Sequence, residues 1–543
     1  MIGTENRSRT TLSVIESPGK LPDGLRRELA EIRGSNVLCG KDAELDGALA
    51  EAVRDCDDLG ERLMVHVFRR IGEAARARDE GEDPTGAYFR AARVCEAALR
   101  AGVAEREGEN ARERLAIARC GLSASLRALG ELSKNNADSV RLFARAVEVG
   151  EEAARAVSEQ DAPQEWAAAQ SGLADALCKQ GLFLDDENVS RPLYERAVEA
   201  GEAAKRVLRR RDGRDEWVDL RRCLAISYLE LGLIIDGEGS HRMLARSASA
   251  FKSVLRHMKR QVDPQKYTRT LESLGLAHMK RGELLMEVDE GKHARRHFAR
   301  AANVFERACN SVVREKDPMR WARNHTRVGS CCRARAGLAS RPVAMVFFSR
   351  AVASYEAALK VYTPEDAPWE WAVYHERLGS CLVDMANRCN GSAARSLFSR
   401  SLDAYEGAMK SVNSRNAPQL WAMIQTSISL AHRWQGSKGP GYEAMRHFQR
   451  SMEVCDGARM VFDRLGSAGF EQCLSRHFLG SLLGEMADHA KDREEALEYL
   501  ERGVRLCEEG VNICKRRKAD DQLTHVMKTL KCLRTRVRRM KSD

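Results

Sequence analysis

FSRAVASYEAALKVYTPEDAPWEWAVYHERLGSCL, running from Phe348 to Leu382, returns fifty residues later as FSRSLDAYEGAMKSVNSRNAPQLWAMIQTSISLA, from Phe398 to Ala431. Weaker copies of the phrase extend in both directions through most of the 543 residues. Self-similarity at a fixed period of this size marks a stacked helical array, in which each unit buries its apolar face against its neighbours.

An arginine column sets the register. Arg90, Arg145, Arg196, Arg246, Arg300, Arg350, Arg400, Arg450 and Arg502 each follow an aromatic residue or Leu by one or two positions. Six residues further on stand Glu96, Glu151, Glu202, Lys252, Glu306, Glu356, Glu406, Asp456 and Glu508, so only Lys252 breaks the acidic column. Phe348, Val352, Tyr355 and Leu359 lie three and four apart between and beyond these charges, which places them on one face of an amphipathic helix, here called B. A ladder of cations could grip a polyanion. Acids recurring beside the cations point instead to pairing with an adjacent helix, which would set repeat stacking.

After each B helix comes a turn: Asp161-Ala-Pro163, Asp263-Pro264, Asp317-Pro318, Asp366-Ala-Pro368, Asn416-Ala-Pro418. Asp or Asn can accept from a free N–H at a helix start, and Pro fits the first turn, where its missing N–H costs nothing. A second helix, A, then opens on a large side chain: Trp166, Trp217, Tyr267, Trp321, Trp371 or Trp421. Seven and eight residues later an apolar and a small residue follow, as in Leu378-Gly379 and Val328-Gly329. Gly inside a helix costs about 1 kcal/mol against Ala, so its recurrence implies a close helix approach.

On these residues the pattern resembles the tetratricopeptide repeat. Leu378-Gly379 matches the family's A-helix pair, and Phe398, Leu402, Tyr405, Ala408 and Met409 match its B-helix ladder, with Ser401 where Ala is usual. The spacing departs, with about six extra residues between Leu359 and Gly379 and about ten between Gly379 and Ser401. His375 stands at the family's Trp position, and Trp371 one turn earlier. The resemblance covers roughly residues 45–540 and implies an all-α, right-handed solenoid built from a long-repeat variant of about fifty residues.

Composition agrees with a helical chain: 12 prolines and 6% aromatics in 543 residues. The 16 cysteines form no CxxC and sit at helix packing positions, such as Cys95, Cys309 and Cys455 on B and Cys120, Cys223 and Cys381 on A. They read as buried thiols in a reducing compartment. The polar start, MIGTENRSRTTLSVIES, is not a secretory signal, and no apolar run has the length of a membrane span. The expected location is the cytoplasm, or the nucleus if Lys515-Arg-Arg-Lys518 is an import signal. Of the net charge of +10, residues 511–543 carry +8, from 11 Lys/Arg against 3 Asp.

The expected organisation is a disordered segment over 1–20, capping helices over 21–60, a solenoid of about nine repeats over 61–510 and a basic capping helix over 511–543. A helices are expected near Met64, Leu115, Trp166, Trp217, Tyr267, Trp321, Trp371, Trp421, Gln472 and Leu523, with nine B helices between them and no inter-domain linker. Asp185-Asp-Glu187, Gly237-Glu-Gly-Ser240 and Gly436–Gly441 read as loops between A and B. The last helix, Leu523 to Met540, is expected to bury Leu523, Met527, Leu530, Leu533 and Val537, opposite Lys528, Lys531, Arg534, Arg538 and Lys541.

Chemical motifs are sparse. Gly34–Asp42 has one residue too many for a phosphate loop and Asp42 where Ser or Thr is required. His293 and His297 stand at i, i+4, but HARRH lacks the Glu of a zinc protease and sets two arginines beside any cation. His325 and His375 share a repeat register and read as packing or groove contacts. No enzyme, metal or cofactor is therefore expected. The resemblance implies a protein-interaction scaffold whose concave, A-helix-lined groove holds a protein, peptide or partner helix. By position the groove contains Arg222, Glu272, Arg323, Thr326, Ser330, Arg333, Glu376, Ser380, Thr426 and Arg433. That set lacks the Asn of a carboxylate clamp. The alternative is RNA binding through a basic tail patch of Lys515, Arg516, Arg517, Lys518, Arg534 and Arg538. No membrane partner is expected.

Overall fold

The computed structural model describes residues 84–100, 111–209, 214–258, 263–438, 441–466, 469–517 and 520–542. The expected N-terminal segment and caps, the helix near Met64 and the Gly34–Asp42 loop lie outside these residues. Two compact units divide the chain, residues 1–281 and 282–543. Among the described residues both are all-α, built from helix-turn-helix repeats in tandem.

The first unit contains α1 (Thr85–Arg100), α2 (Ala111–Leu132), α3 (Asn136–Ala156), α4 (Pro163–Leu182), α5 (Glu187–Val207), α6 (Arg214–Ile234), α7 (Gly237–His257) and most of α8 (Pro264–Glu287). The second contains α9 (Gly291–Ser311), α10 (Pro318–Gly337), α11 (Arg341–Leu359), α12 (Pro368–Ala386), α13 (Gly391–Met409), α14 (Pro418–Lys438), α15 (Gly441–Leu465), α16 (Gly469–Ala487), α17 (Arg493–Arg517) and α18 (Asp520–Ser542). Even-numbered helices are A and odd-numbered ones B. The division between units falls inside α8, so no linker separates them.

The A helices α2, α4, α6, α10, α12, α14 and α16 each pack most extensively on the B helix that follows. The recurrent glycine makes this possible. A Cβ on Gly379 of α12 would stand 2.6 Å from the Tyr405 ring of α13, and one on Gly329 of α10 would stand 2.8 Å from Tyr355 of α11. Both tyrosines are buried, and their hydroxyls lie 3.2 Å from Ser380 Oγ and 3.1 Å from Ser330 Oγ. The glycine thus makes room for a large ring, and the serine one residue later satisfies the ring's polar end. Around such pairs the cores build up. Leu122, Leu126, Leu173, Leu177 and Tyr194 belong to one in the first unit. Phe398, Tyr405, Leu420 and Ile424 belong to one in the second, and Phe448, Leu479, Leu482 and Leu483 to another.

The turns split into two chemistries. In the Asp-Pro form the acid caps helix A: Asp317 accepts from Arg320 N–H at 3.1 Å and Asp263 from Lys266 N–H at 2.7 Å. In the Asp-Ala-Pro form Ala162 and Ala367 occupy the cap position and the acid stands one residue too early. There Asp161 and Asp366 close the preceding turn, accepting from Ser158 Oγ at 2.7 Å and Thr363 Oγ1 at 2.8 Å. Asn416 behaves likewise, accepting from Asn413 N–H at 2.7 Å. Capping by the whole Asp/Asn series therefore holds only where Pro follows directly.

Other expectations also need correction. Asp186 caps α5, accepting from Asn188 N–H at 2.9 Å, so Asp185–Glu187 is a helix start. Gly237, at φ +64°, opens α7 directly, and α14 continues through Lys438. Lys515, Arg516 and Arg517 end α17, which already spans the expected boundary at 511, and Lys518 lies outside the described residues. On α18 Leu530 and Leu533 are buried and Leu523 and Val537 pack against the same core as expected, but Met527 is exposed and Val526 takes its place in the buried stripe. Cys473 of α16 and Cys514 of α17 form a disulfide, which corrects the reading of every cysteine as a free thiol. Their i-to-i+41 positions meet because adjacent A and B helices run antiparallel.

Candidate binding surface

Within each unit successive A helices touch one another: α2 with α4 and α4 with α6, then α10 with α12, α12 with α14 and α16 with α18. Successive B helices meet across long charged side chains, Arg196 with Glu151, Arg350 with Glu306, Arg400 with Glu356 at 3.1 Å and Arg502 with Asp456 at 3.7 Å. At these four steps the arginine column is matched by the acidic column one repeat back, and Arg145 and Arg450 also pair within their own helices, with Glu148 and Glu453. The A side is the closely packed side, and it carries the expected groove residues.

Those residues fall in both units. Arg222 on α6 and Glu272 on α8 belong to the first, and the other eight to the second. In the second unit the half-buried polar side chains are linked from one A helix to the next. Arg333 of α10 donates to Asp384 of α12 at 2.7 Å. Glu376 of α12 accepts from Ser380 at 2.6 Å and from Ser427 of α14 at 3.1 Å. Arg433 of α14 pairs with Glu485 of α16 at 2.5 Å and donates to Ser481 at 3.1 Å. Thr326 is buried with its hydroxyl turned back to Ala322 O, and Thr426 makes the same bond to Ala422 O at 2.9 Å. Thr326 therefore does not line a surface as expected, and Thr426 is half-buried. Arg323 is half-buried on α10 and forms no ion pair among the described residues.

Sequence reasoning named one member of each pair and missed Asp384, Ser427, Ser481 and Glu485. A search for opposite charges 51 and 52 residues apart would have found Arg333–Asp384 and Arg433–Glu485. In the first unit it missed Asp175. Burial alone would raise the pKa of this carboxyl, but Lys179, Arg127 and Arg222 surround it and hold it well below the ordinary carboxylate range. Lys179 Nζ lies 2.8 Å from Asp175 and 2.7 Å from Glu131, and Arg127 also pairs with Asp175.

The aromatic column is half core, half edge. Trp371 Nε1 donates to Gly407 O at 2.8 Å, and the Trp321 and Trp371 rings lie 4.0 and 4.3 Å from the imidazoles of His325 and His375. Burial pushes His375 down to about 4, so it is neutral near pH 7. His293 is exposed against Glu290 and His297 is buried, so the pair does not face one point. Among the described residues no cluster of His, Cys, Asp or Glu has the arrangement of a metal site.

The basic tail is less bare than its composition suggests. Lys515 and Arg516 are exposed. Arg534 pairs with Glu508 at 2.7 Å, Arg536 with Asp488 at 2.5 Å and Lys541 with Glu501 at 2.7 Å. Arg538 shares a shallow cleft with Glu501, Val504, Arg505, Arg534 and Val537. No described helix is long and apolar enough to cross a membrane.

No family model matches the chain, and no match is found among curated proteins. Among solved structures the chain is similar to the apo form of RapI at 10% identity, over 82% of this chain and 98% of that one, with a TM-score of 0.37. It is similar to a Rap protein complexed with competence and sporulation factor at 9% identity, over 79% and 100%, with a TM-score of 0.29. A human IFIT1 dimer with PPP-AAAA is similar at 15% identity, over 74% and 92%, with a TM-score of 0.24.

Proposed function

We propose that the chain is a non-catalytic interaction scaffold that holds a peptide or partner helix on the A-helix side. The observation carrying this reading is the linked polar strip of the second unit. Its charges alternate from helix to helix and are fixed by partners one repeat away, as in Arg333–Asp384 and Arg433–Glu485. Groups held in place before a ligand arrives lose little conformational freedom on binding, which favours affinity. Arg323 stands on the same helix as Arg333 without a carboxylate of its own, and an acidic side chain of the ligand would complete it.

The test uses peptides selected from a random library on the full chain. Their affinities are then compared on Arg323→Glu and on Arg400→Glu, which reverses an exposed charge on the B side. Arg323→Glu should weaken binding at least about tenfold, a cost of about 1.4 kcal/mol, and Arg400→Glu should change it little. Equal affinities for all three proteins would overturn the proposal. The pairing of Arg534, Arg536 and Lys541 with acids lowers support for a polyanion grip by the tail. Binding of single-stranded RNA that weakens steeply with salt and disappears on neutralising Lys528, Lys531 and Arg538 would restore it.

A further inference from the structure

The B-side ladder is not uniform, and the step at Arg246 opens a cleft. At four steps the column Arg reaches the acid of the preceding B helix: Arg196–Glu151, Arg350–Glu306, Arg400–Glu356 and Arg502–Asp456. At Arg246 of α7 the equivalent acid is Glu202 of α5, and it is engaged elsewhere. It takes Lys205 Nζ at 2.7 Å and the Tyr228 hydroxyl of α6 at 2.5 Å. Arg246 instead lies over the Tyr228 ring, 5.7 Å from its centroid. Arg221, one turn of α6 before Leu224 and two before Tyr228, lies over the Trp217 ring at 4.7 Å. Its Nε is buried and meets no acceptor among the described residues. Neither guanidinium forms a direct ion pair among those residues, and Arg246 acts on Glu202 only from a distance and reaches the Tyr228 hydroxyl.

These groups line one cleft of about 490 Å³ between α5, α6 and α7, together with Leu224, Ser249 and Ala250. The volume falls in the range of small-ligand sites. Three cations and one carboxylate line it, and Glu202 is shared between Lys205 and Arg246, so the cleft carries an excess of two positive charges. Each rests on an aromatic face, which limits its motion and leaves its N–H edges for a ligand. A dianion with three acceptor oxygens satisfies two such forks, and a carboxylate, with one charge and two oxygens, satisfies only one. Leu224, Ala250 and the Tyr228 ring supply an apolar wall beside the charged end.

We propose that this cleft is a binding site for a small phosphate monoester, its dianion held by Arg221 and Arg246, with Ser249 as a further donor and its organic group against Leu224 and Ala250. The site lies on the B side of the first unit, and stands or falls separately from peptide binding on the A side of the second.

Isothermal titration of the full chain with phenyl phosphate, inorganic phosphate and benzoate tests this. Phenyl phosphate should bind saturably with one site per chain, more tightly than inorganic phosphate and at least about tenfold more tightly than benzoate. Arg246→Gln, a change at an exposed side chain, should weaken phenyl phosphate at least about tenfold. Arg350→Gln, which breaks a complete rung of the same ladder, should leave it unchanged. No saturable binding, benzoate as good as phenyl phosphate, or equal binding by the wild type and Arg246→Gln would each overturn the proposal.

Discussion

At the scale of single residues, Asp175 and two glycines give the most direct tests. Asp175 has a depressed pKa in the fold, whereas in the unfolded chain it titrates near an ordinary ~3.9. Its contribution to stability is therefore complete above that value and is lost as pH falls through it towards the lower folded value. Denaturant midpoints should drop from pH 7 to pH 3, and Asp175→Asn should make that drop smaller. At pH 7 the variant should lose about 2 kcal/mol, less than for a fully buried pair because some of the site faces water. The glycines separate packing from helix propensity. Gly172 of α4 has nothing within 4 Å of an added Cβ, and Gly379 has the Tyr405 ring at 2.6 Å. Thermal melts should show Gly172→Ala raising stability by up to about 1 kcal/mol and Gly379→Ala lowering it by about 1–3 kcal/mol.

At the scale of elements, the two turn chemistries predict unequal effects from one substitution. Asp317→Ala removes a helix cap and should cost about 1 kcal/mol in chemical denaturation. Asp366→Ala removes only the exposed bond from Thr363 Oγ1 and should cost less. Helix order, the A–B alternation and the arginine register were legible because one fifty-residue phrase repeats and its apolar residues keep helical spacing. The cap assignment failed on one inserted Ala, whose effect depends on where Pro starts the helix. On α18 only Met527 was misplaced, because Val526 and Met527 are both apolar and the pattern alone does not choose between them. On the A side each expected residue was legible as a polar group in a repeated position. The partners of Arg333, Glu376 and Arg433 lay in the next repeat, a distance over which motif searches do not look. The Arg246 cleft was not legible, because the acidic column breaks at Lys252, opposite Arg300, and Glu202 stands in its expected place at the Arg246 step. Only the side-chain arrangement shows Glu202 turned to Tyr228.

At the scale of the whole chain, two compact units with their own cores imply that stability is divided as well. Repeat arrays lose all-or-none behaviour as they lengthen, because each unit is supported by its nearest neighbours. Hydrogen exchange should show Asp175→Asn accelerating amides of α2, α4 and α6, with α12 to α16 unchanged. Uniform acceleration across all of these helices would show that the chain unfolds as one.

The rungs also determine what a deletion or duplication of one repeat would do. Excising residues 341–390 would bring Arg400 to the place of Arg350, still 44 residues after Glu306, so the outer rung would re-form unchanged. On the inner side the same cut would put Trp434 where Asp384 had stood, and Arg333 would lose its acid. The outer face therefore works as a common coupling that any repeat can join. The inner face is individual lettering, and shuffling repeats would preserve the frame while rewriting the message.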